Sequence, residues 1–362
     1  MDTAFSLDRG TADELVRAPR IVITDDRPML KAAAELTRDI IAPKPWIYWT
    51  DMLLSAALGY AALLGAIVEP SVPLALMFGV IAMLALYRAS MFIHEITHLK
   101  HSQVPGFRLG WNLIVGIPLM VPSFMYEGVH NLHHARTRYG TAEDPEYLPL
   151  ALMKPWTLPA FVLVSLLAPI ALLFRYAVLA PLSILIPPLR RVVVAKYSGL
   201  QINPSFERRP PEGELRRWWL WLEAGASLWS IALLTLVASG AVPLRALLIF
   251  LGIAAGLTLI NQVRTLVAHL WENEGEPMTV TAQYLDTVNV PPPGVLPLLW
   301  APVGLRYHAL HHLIPSLPYH SLTEAHRRLA RALDPDSPYH RANYRSLTGL
   351  LVKIGASTMK PR

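Results

Sequence analysis

Residues 73–101 read PLALMFGVIAMLALYRASMFIHEITHLKH, and this stretch decides the fold. From Pro73 to Ile93 it is apolar apart from Arg88, and as a helix it reaches about 32 Å, enough for a bilayer core of roughly 30 Å. It ends directly on His94, His98 and His101, spaced i, i+4 and i+7, so a membrane span delivers imidazoles to one end of itself. Upstream, Trp46–Val68 is a second apolar run of similar length, separated by the break Glu69-Pro-Ser71, and the two form a hairpin. A second pair runs from about Trp218 to Ser239 and from about Leu244 to Val267, joined by Gly240-Ala-Val-Pro243. The expected fold is an all-α integral membrane protein of four transmembrane helices in two hairpins, with interfacial or re-entrant helices beside them.

Composition agrees with a membrane protein. Of 362 residues, 53% are hydrophobic and only 16% charged, against roughly 25% charged in an average soluble domain. Cysteine is absent, which rules out disulfides, thiolate zinc sites and cysteine-ligated iron–sulfur clusters, so any electron carrier of that kind is a separate protein. No basic start followed by an apolar stretch suggests a cleavable leader; Asp2, Asp8, Asp13 and Glu14 occupy that region. The net charge of +6 is explained by orientation rather than by nucleic acid. Arg9, Arg17, Arg20, Arg27, Lys31, Arg38 and Lys44 precede the first hairpin, and Arg190, Arg191, Lys196, Arg208, Arg209, Arg216 and Arg217 precede the second. The hairpin turns carry none, which places both termini and the large loops in the cytosol. Residues 1–45 are then a cytosolic N-terminal segment, 46–330 the membrane domain and 331–362 a cytosolic tail. Leu109–Tyr126 and Leu158–Pro187 are also apolar but are interrupted by prolines; both are read as interfacial or re-entrant, because a single crossing would separate the histidine motifs.

Ten of the thirteen histidines gather in four places: His94, His98 and His101; His130-Asn-Leu-His-His134; His269; and His308-Ala-Leu-His-His312. On helices each box presents imidazoles to one face. Neutral imidazole binds iron, copper, nickel and zinc, and this number exceeds the need of one tetrahedral zinc, so two metals are expected. A lone histidine such as His269 is more often an ordinary core residue, but its place one turn beyond the fourth span argues for ligation. The candidate ligands are His94, His98, His130, His133, His134, His269, His308, His311 and His312. His101, Glu95, Glu127, Asp144 and Glu146 are candidates for additional ligands or for groups orienting imidazole N–H bonds. His320, His326 and His340 read as surface residues. Glu223, near Trp218, reads as reaching the interface.

His94 to His98, His130 to His134 and His308 to His312 resemble the three histidine boxes of membrane fatty acid desaturases and related hydroxylases. The run from His311 to His320, HHLIPSLPYH, is similar to the sequence after the third box in acyl-lipid desaturases, and His133 to Pro145 to the region after the second. The resemblance covers about residues 46–330. It implies four transmembrane helices under a cytosolic cap with two iron ions, O₂ as co-substrate, and an external donor of ferredoxin, rubredoxin or cytochrome b5 type; His269 matches a family position just after the fourth helix. The chain lacks a fused cytochrome b5 domain, and the third box begins with His308 where front-end desaturases carry glutamine, which speaks against front-end regiochemistry.

What the resemblance implies is hydrogen abstraction from an unactivated C–H bond of an acyl chain bound along the spans. Removing a second hydrogen gives an alkene, and hydroxyl transfer gives an alcohol. The third-box run favours a double bond in a lipid- or thioester-linked fatty acyl chain. The alternative is a hydroxylase or ketolase acting on lipids, alkanes or carotenoids with the same iron site. A membrane metal transporter is the remote third reading, since its ligands belong along a path through the bilayer rather than at span ends.

Overall fold

The computed structural model describes residues 23–359. The N-terminal acidic residues, Arg9, Arg17 and Arg20, on which the leader and orientation arguments partly rest, lie outside them. Among the described residues the protein is helical with no strand, only isolated bridges joining His269 to Thr287 and Asn289 to Tyr307 and Asn343.

Five helices are long and apolar enough to cross a membrane: Pro45–Val68, Val72–His98, Thr157–Leu185, Gly213–Ala238 and Leu244–Leu266. The protein is therefore a multi-pass membrane protein. Four of the five match the expected spans; the second continues through its histidines to His98, and the fourth begins earlier than its apolar residues do, through the polar turn Gly213–Arg217. The first two pack tightly along their length. A Cβ at Gly59 would lie 2.7 Å from the Leu86 side chain, so glycine permits the close approach there. Arg88 Nε donates to Asp51 at 2.7 Å, an ion pair that joins the two helices rather than leaving either charge unpaired in an apolar setting. Large side chains such as Leu54, Leu76, Leu228 and Leu248 remain exposed on these helices, as expected of surfaces covered by lipid.

The third long helix, Thr157–Leu185, was expected to be interfacial or re-entrant, and its length and composition put it among the possible spans. It is irregular, with a 3₁₀ turn at Val164–Leu167 and a π turn at Arg175–Leu179. Pro159, Pro169 and Pro181 cannot donate to the helical ladder, which accounts for the interruptions. Leu109–Tyr126 forms no long helix: a π turn covers Asn112–Gly116 and a 3₁₀ turn Ser123–Met125. The Asn112 amide ties these turns together by donating to Ser123 Oγ at 2.9 Å and accepting from Ser123 N–H at 2.8 Å.

Candidate metal centre

The first box completes the second long helix, the second forms the short helix His130–His133, and the third forms the helix His308–Leu313. Backbone bonds lash the third box to the segment after the last long helix. Val288 N–H donates to Ala268 O, Ala309 N–H to Val288 O, and Leu310 N–H to the buried Asn289 side chain at 3.0 Å. The chain beyond the third box is held as firmly. Glu95 accepts from Tyr48 Oη at 2.6 Å and from Tyr319 N–H at 3.1 Å, while Tyr319 Oη donates to Asp51 at 2.9 Å. The Pro-Ser-Leu-Pro-Tyr run is thus pinned to the ends of the first hairpin.

This packing brings nine histidines into two groups. His94, His98, His130, His134 and His311 form one; His133, His269, His308 and His312 form the other. Within each group one nitrogen from every ring lies within 4.8 Å of the rest. The groups adjoin, with the His134 and His312 rings stacked at 4.2 Å.

Each box was expected to present one common face; the structure divides two of them. His130 and His134 join the first group while His133 joins the second, and His308 and His312 join the second while His311 joins the first. Helical geometry explains the division. Residues four apart differ by about 40° around the axis, whereas neighbours such as His133 and His134 diverge by about 100°. The i, i+4 pair therefore shares a site and the intervening histidine is passed to the other one.

The donor set fits metal ions. His130 and His134 face each other through their Nε2 atoms at 3.0 Å, as do His134 and His311, and His269 and His308. His94 Nδ1 and Nε2 and His98 Nε2 are buried without a hydrogen-bond partner. Burial, reinforced by the neighbouring imidazoles, holds His130, His134, His269, His308, His311 and His312 well below the usual imidazole pKa. Clustered neutral imidazoles with lone pairs turned inward lack donors to satisfy one another, and a cation supplies what they lack.

Outward-facing nitrogens meet carboxylates. His133 Nδ1 lies 2.9 Å from Asp144, which is fully buried and also accepts backbone N–H bonds from Gly140 and Glu146, both at 2.8 Å. Burial opposes charge on His133, but the Asp144 carboxylate outweighs it and raises the pKa. His130 Nδ1 lies 2.8 Å from Glu146, and Tyr126 Oη donates to the same carboxyl at 2.8 Å. His269 Nδ1 meets Tyr139 Oη at 2.9 Å, and Tyr139 donates to Asp286 at 2.7 Å. Burial pushes both Glu146 and Asp286 up to about 7. Such contacts fix tautomer and ring orientation at metal sites.

Asp144 and Glu146 thus sit where the sequence reading put them, in contact with imidazoles. Glu95 and Glu127 do not. Glu95 docks the tail, and its approach to His94 Nδ1 is 3.7 Å, too long for a hydrogen bond. Glu127 pairs with Arg108 at 2.7 Å and accepts from Ser123, because the folded-back turns after Trp111 bring those groups to it. His101 is exposed in a turn and joins neither group. Of the expected surface histidines, His320 accepts from Lys44 N–H at 3.1 Å and His326 meets Tyr339 Oη at 2.8 Å. Tyr139 and Asp286 stand at no motif spacing and went unseen in the sequence, as did Tyr126, although it lies four residues before His130, the spacing of one helical face. The sequence reading also missed Trp271, whose ring lies 4.8 Å from that of His269 and whose backbone adopts φ +63°, uncommon for so bulky a residue.

Comparison with known proteins agrees with this geometry. No solved structure matches the chain. A ceramide hydroxylase of Caulobacter vibrioides (strain NA1000 / CB15N) is 50% identical over 330 residues, covering 91% of this chain and 93% of that protein. The family model for fatty acid desaturases matches residues 70–346, which include the second to fifth long helices and every histidine of the two groups. The chain belongs to the fatty acid desaturase family and is an oxidoreductase enzyme of the membrane.

Proposed function

We propose that the protein hydroxylates a lipid of the ceramide class, with the nine histidines holding two iron ions. The observation that carries this reading is the 50% identity, along nearly the whole of both chains, to a ceramide hydroxylase. It favours hydroxylation over the double bond suggested by the run after the third box, and both outcomes use the same site.

When bound, the two irons would supply reductive activation of O₂ and oxidation of an unactivated C–H bond, drawing two electrons from a separate carrier of ferredoxin, rubredoxin or cytochrome b5 type. The protein's own part is to hold and shield. His94, His98, His130, His134 and His311 would hold one iron, and His133, His269, His308 and His312 the other. Asp144 fixes the His133 ring, Glu146 with Tyr126 fixes His130, and Asp286 acts on His269 through Tyr139. The pinned tail, through Glu95 and Tyr319, closes the ends of the first hairpin over the first group and keeps water from it.

The proposed topology has four crossings, with Thr157–Leu185 lying along the membrane face. His133 precedes that helix, His269 follows the second hairpin, and their rings lie 5.1 Å apart. One additional crossing would put them on opposite sides. The distribution of Lys and Arg supports a cytosolic site and cytosolic termini.

Expression in a ceramide-containing host that lacks this activity, followed by mass spectrometry of extracted lipids, tests the reading. Ceramides gaining one oxygen atom are the expected result, abolished by His312→Ala. Loss of two hydrogens instead would return the assignment to desaturation. Unchanged ceramides with altered acyl lipids of another class would overturn the substrate.

A further inference from the structure

A groove of about 650 Å³ lies between the end of the third long helix, the helix Pro187–Lys196 and one face of Gly213–Ala238. That volume is within the roughly 300–1,000 Å³ of small-molecule sites, and none of the nine histidines lines it. Along Gly213–Ala238 its wall is made by Leu220, Glu223, Ala224, Ser227, Leu228 and Ile231, spaced as one helical face. Its two ends differ. Leu228 and Ile231 make an apolar end about 8 to 12 Å beyond Glu223 along the helix, while Glu223, Arg190 and Ser183 gather toward the end nearer Gly213.

The polar end is built from side chains fixed in place. Glu223 is 5% exposed and accepts from Arg175 and from Arg190, each at 2.7 Å. Arg175 is itself buried and held by Ser198 Oγ at 2.8 Å and Tyr197 O at 2.7 Å, and its Nη1 has no hydrogen-bond partner. Two guanidinium groups therefore share one carboxylate, leaving one positive charge uncompensated within this triad. Arg190 carries that charge to the groove wall, where its side chain is partly exposed.

We propose that this groove binds a membrane phospholipid with an anionic headgroup, its acyl chain along Leu228 and Ile231 and its phosphate against Arg190. The arrangement follows the lipid itself, apolar toward the bilayer interior and cationic toward the surface where the headgroup lies. A neutral ceramide offers nothing to the surplus charge, so the occupant is distinct from the proposed substrate. Bound there, the lipid would bridge the third long helix to the second hairpin and complete a surface on which Ile184 and Leu228 stand exposed.

The test uses the full-length protein in nanodiscs of equal phosphatidylglycerol and phosphatidylcholine, with retained lipid counted by native mass spectrometry after release into mild detergent. The unmodified protein should retain phosphatidylglycerol over phosphatidylcholine by about fivefold, the preference expected of one arginine near a membrane surface. Arg190→Gln should abolish the preference, and Ala224→Trp, at an exposed position of the wall, should displace the lipid. Arg327→Gln, on a helix away from the groove, should change neither. Equal retention of the two lipids, retention unaffected by Arg190→Gln and Ala224→Trp, an equal loss of preference in Arg327→Gln, or displacement of the phospholipid by added ceramide would each overturn the proposal.

Discussion

Asp144→Asn should weaken one metal group and spare the other. The Asp144 carboxylate receives His133 Nδ1 at 2.9 Å on one oxygen and 3.0 Å on the other, together with the backbone N–H groups of Gly140 and Glu146. Asparagine keeps one oxygen and replaces the other with an amide NH₂, which would point a donor at a backbone donor on one side. Either Gly140 or Glu146 N–H is then left unsatisfied, and His133 loses its charge-assisted anchor, an interaction worth ~1.5–3 kcal/mol. Loss of such a partner typically lowers metal affinity ~10–100-fold, or about 1.4–2.7 kcal/mol, and the two figures agree. His133 belongs to the group with His269, His308 and His312, so only that site should suffer. Glu146 contacts His130 of the other group, and Glu146→Gln should weaken the first site instead. Anaerobic titration of metal-free, detergent-purified protein with Fe(II) or Co(II) against a competing chelator resolves the two sites, with metal content counted by mass spectrometry. Equal weakening of both sites in Asp144→Asn, or weakening of the same site by both substitutions, would refute the division of the boxes, provided circular dichroism shows an intact fold.

Two further perturbations bear on the same centre. His269→Ala removes one of four imidazoles from the second group and should reduce bound iron from about two per chain toward one, whereas His101→Ala, outside both groups, should leave it unchanged; iron analysis of the purified variants decides. The metal-free protein should lose stability as pH falls below about 6.5, because His130, His134, His269, His308, His311 and His312 are held below that value when folded and take up protons when unfolded. Each contributes up to ~1.4 kcal/mol per pH unit between its unfolded and folded pKa. His133 and the Glu146 and Asp286 carboxyls, whose folded pKa values are raised, act in the opposite sense. Because six imidazoles oppose three such groups, the metal-free protein should melt at a lower temperature at pH 5.5 than at 7.5. A melting temperature that rises on acidification in both the unmodified protein and a Glu146→Gln/Asp286→Asn variant would show that these rings are not buried as neutral groups.

Much of the molecule is written in local pattern. The long apolar runs are legible because a helix must place about 20 apolar residues in succession to cross a bilayer, a property of composition within one segment. The nine histidines are legible for a similar reason, since spacings of three and four residues are resolved within a single turn. His269 is the partial exception, being found from its place after a span rather than from a motif. The length and irregularity of Thr157–Leu185 were obscured by prolines, which interrupt hydrogen bonding without ending the helical path.

What sequence by itself determined, then, is which histidines are spaced to share a helical turn and that apolar spans carry them. The tertiary structure decided how they are shared. Adjacent histidines diverge by about 100° on a helix, so where His133 or His311 goes depends on which imidazoles stand opposite, and those come from segments far away in the chain. The same holds for the carboxylates. Glu95 lies beside His94 in sequence yet serves Tyr48 and Tyr319, whereas Asp286 is far from any box yet acts on His269 through Tyr139. Hydrogen bonds form between groups that packing brings within about 3 Å, and proximity along the chain does not secure that distance.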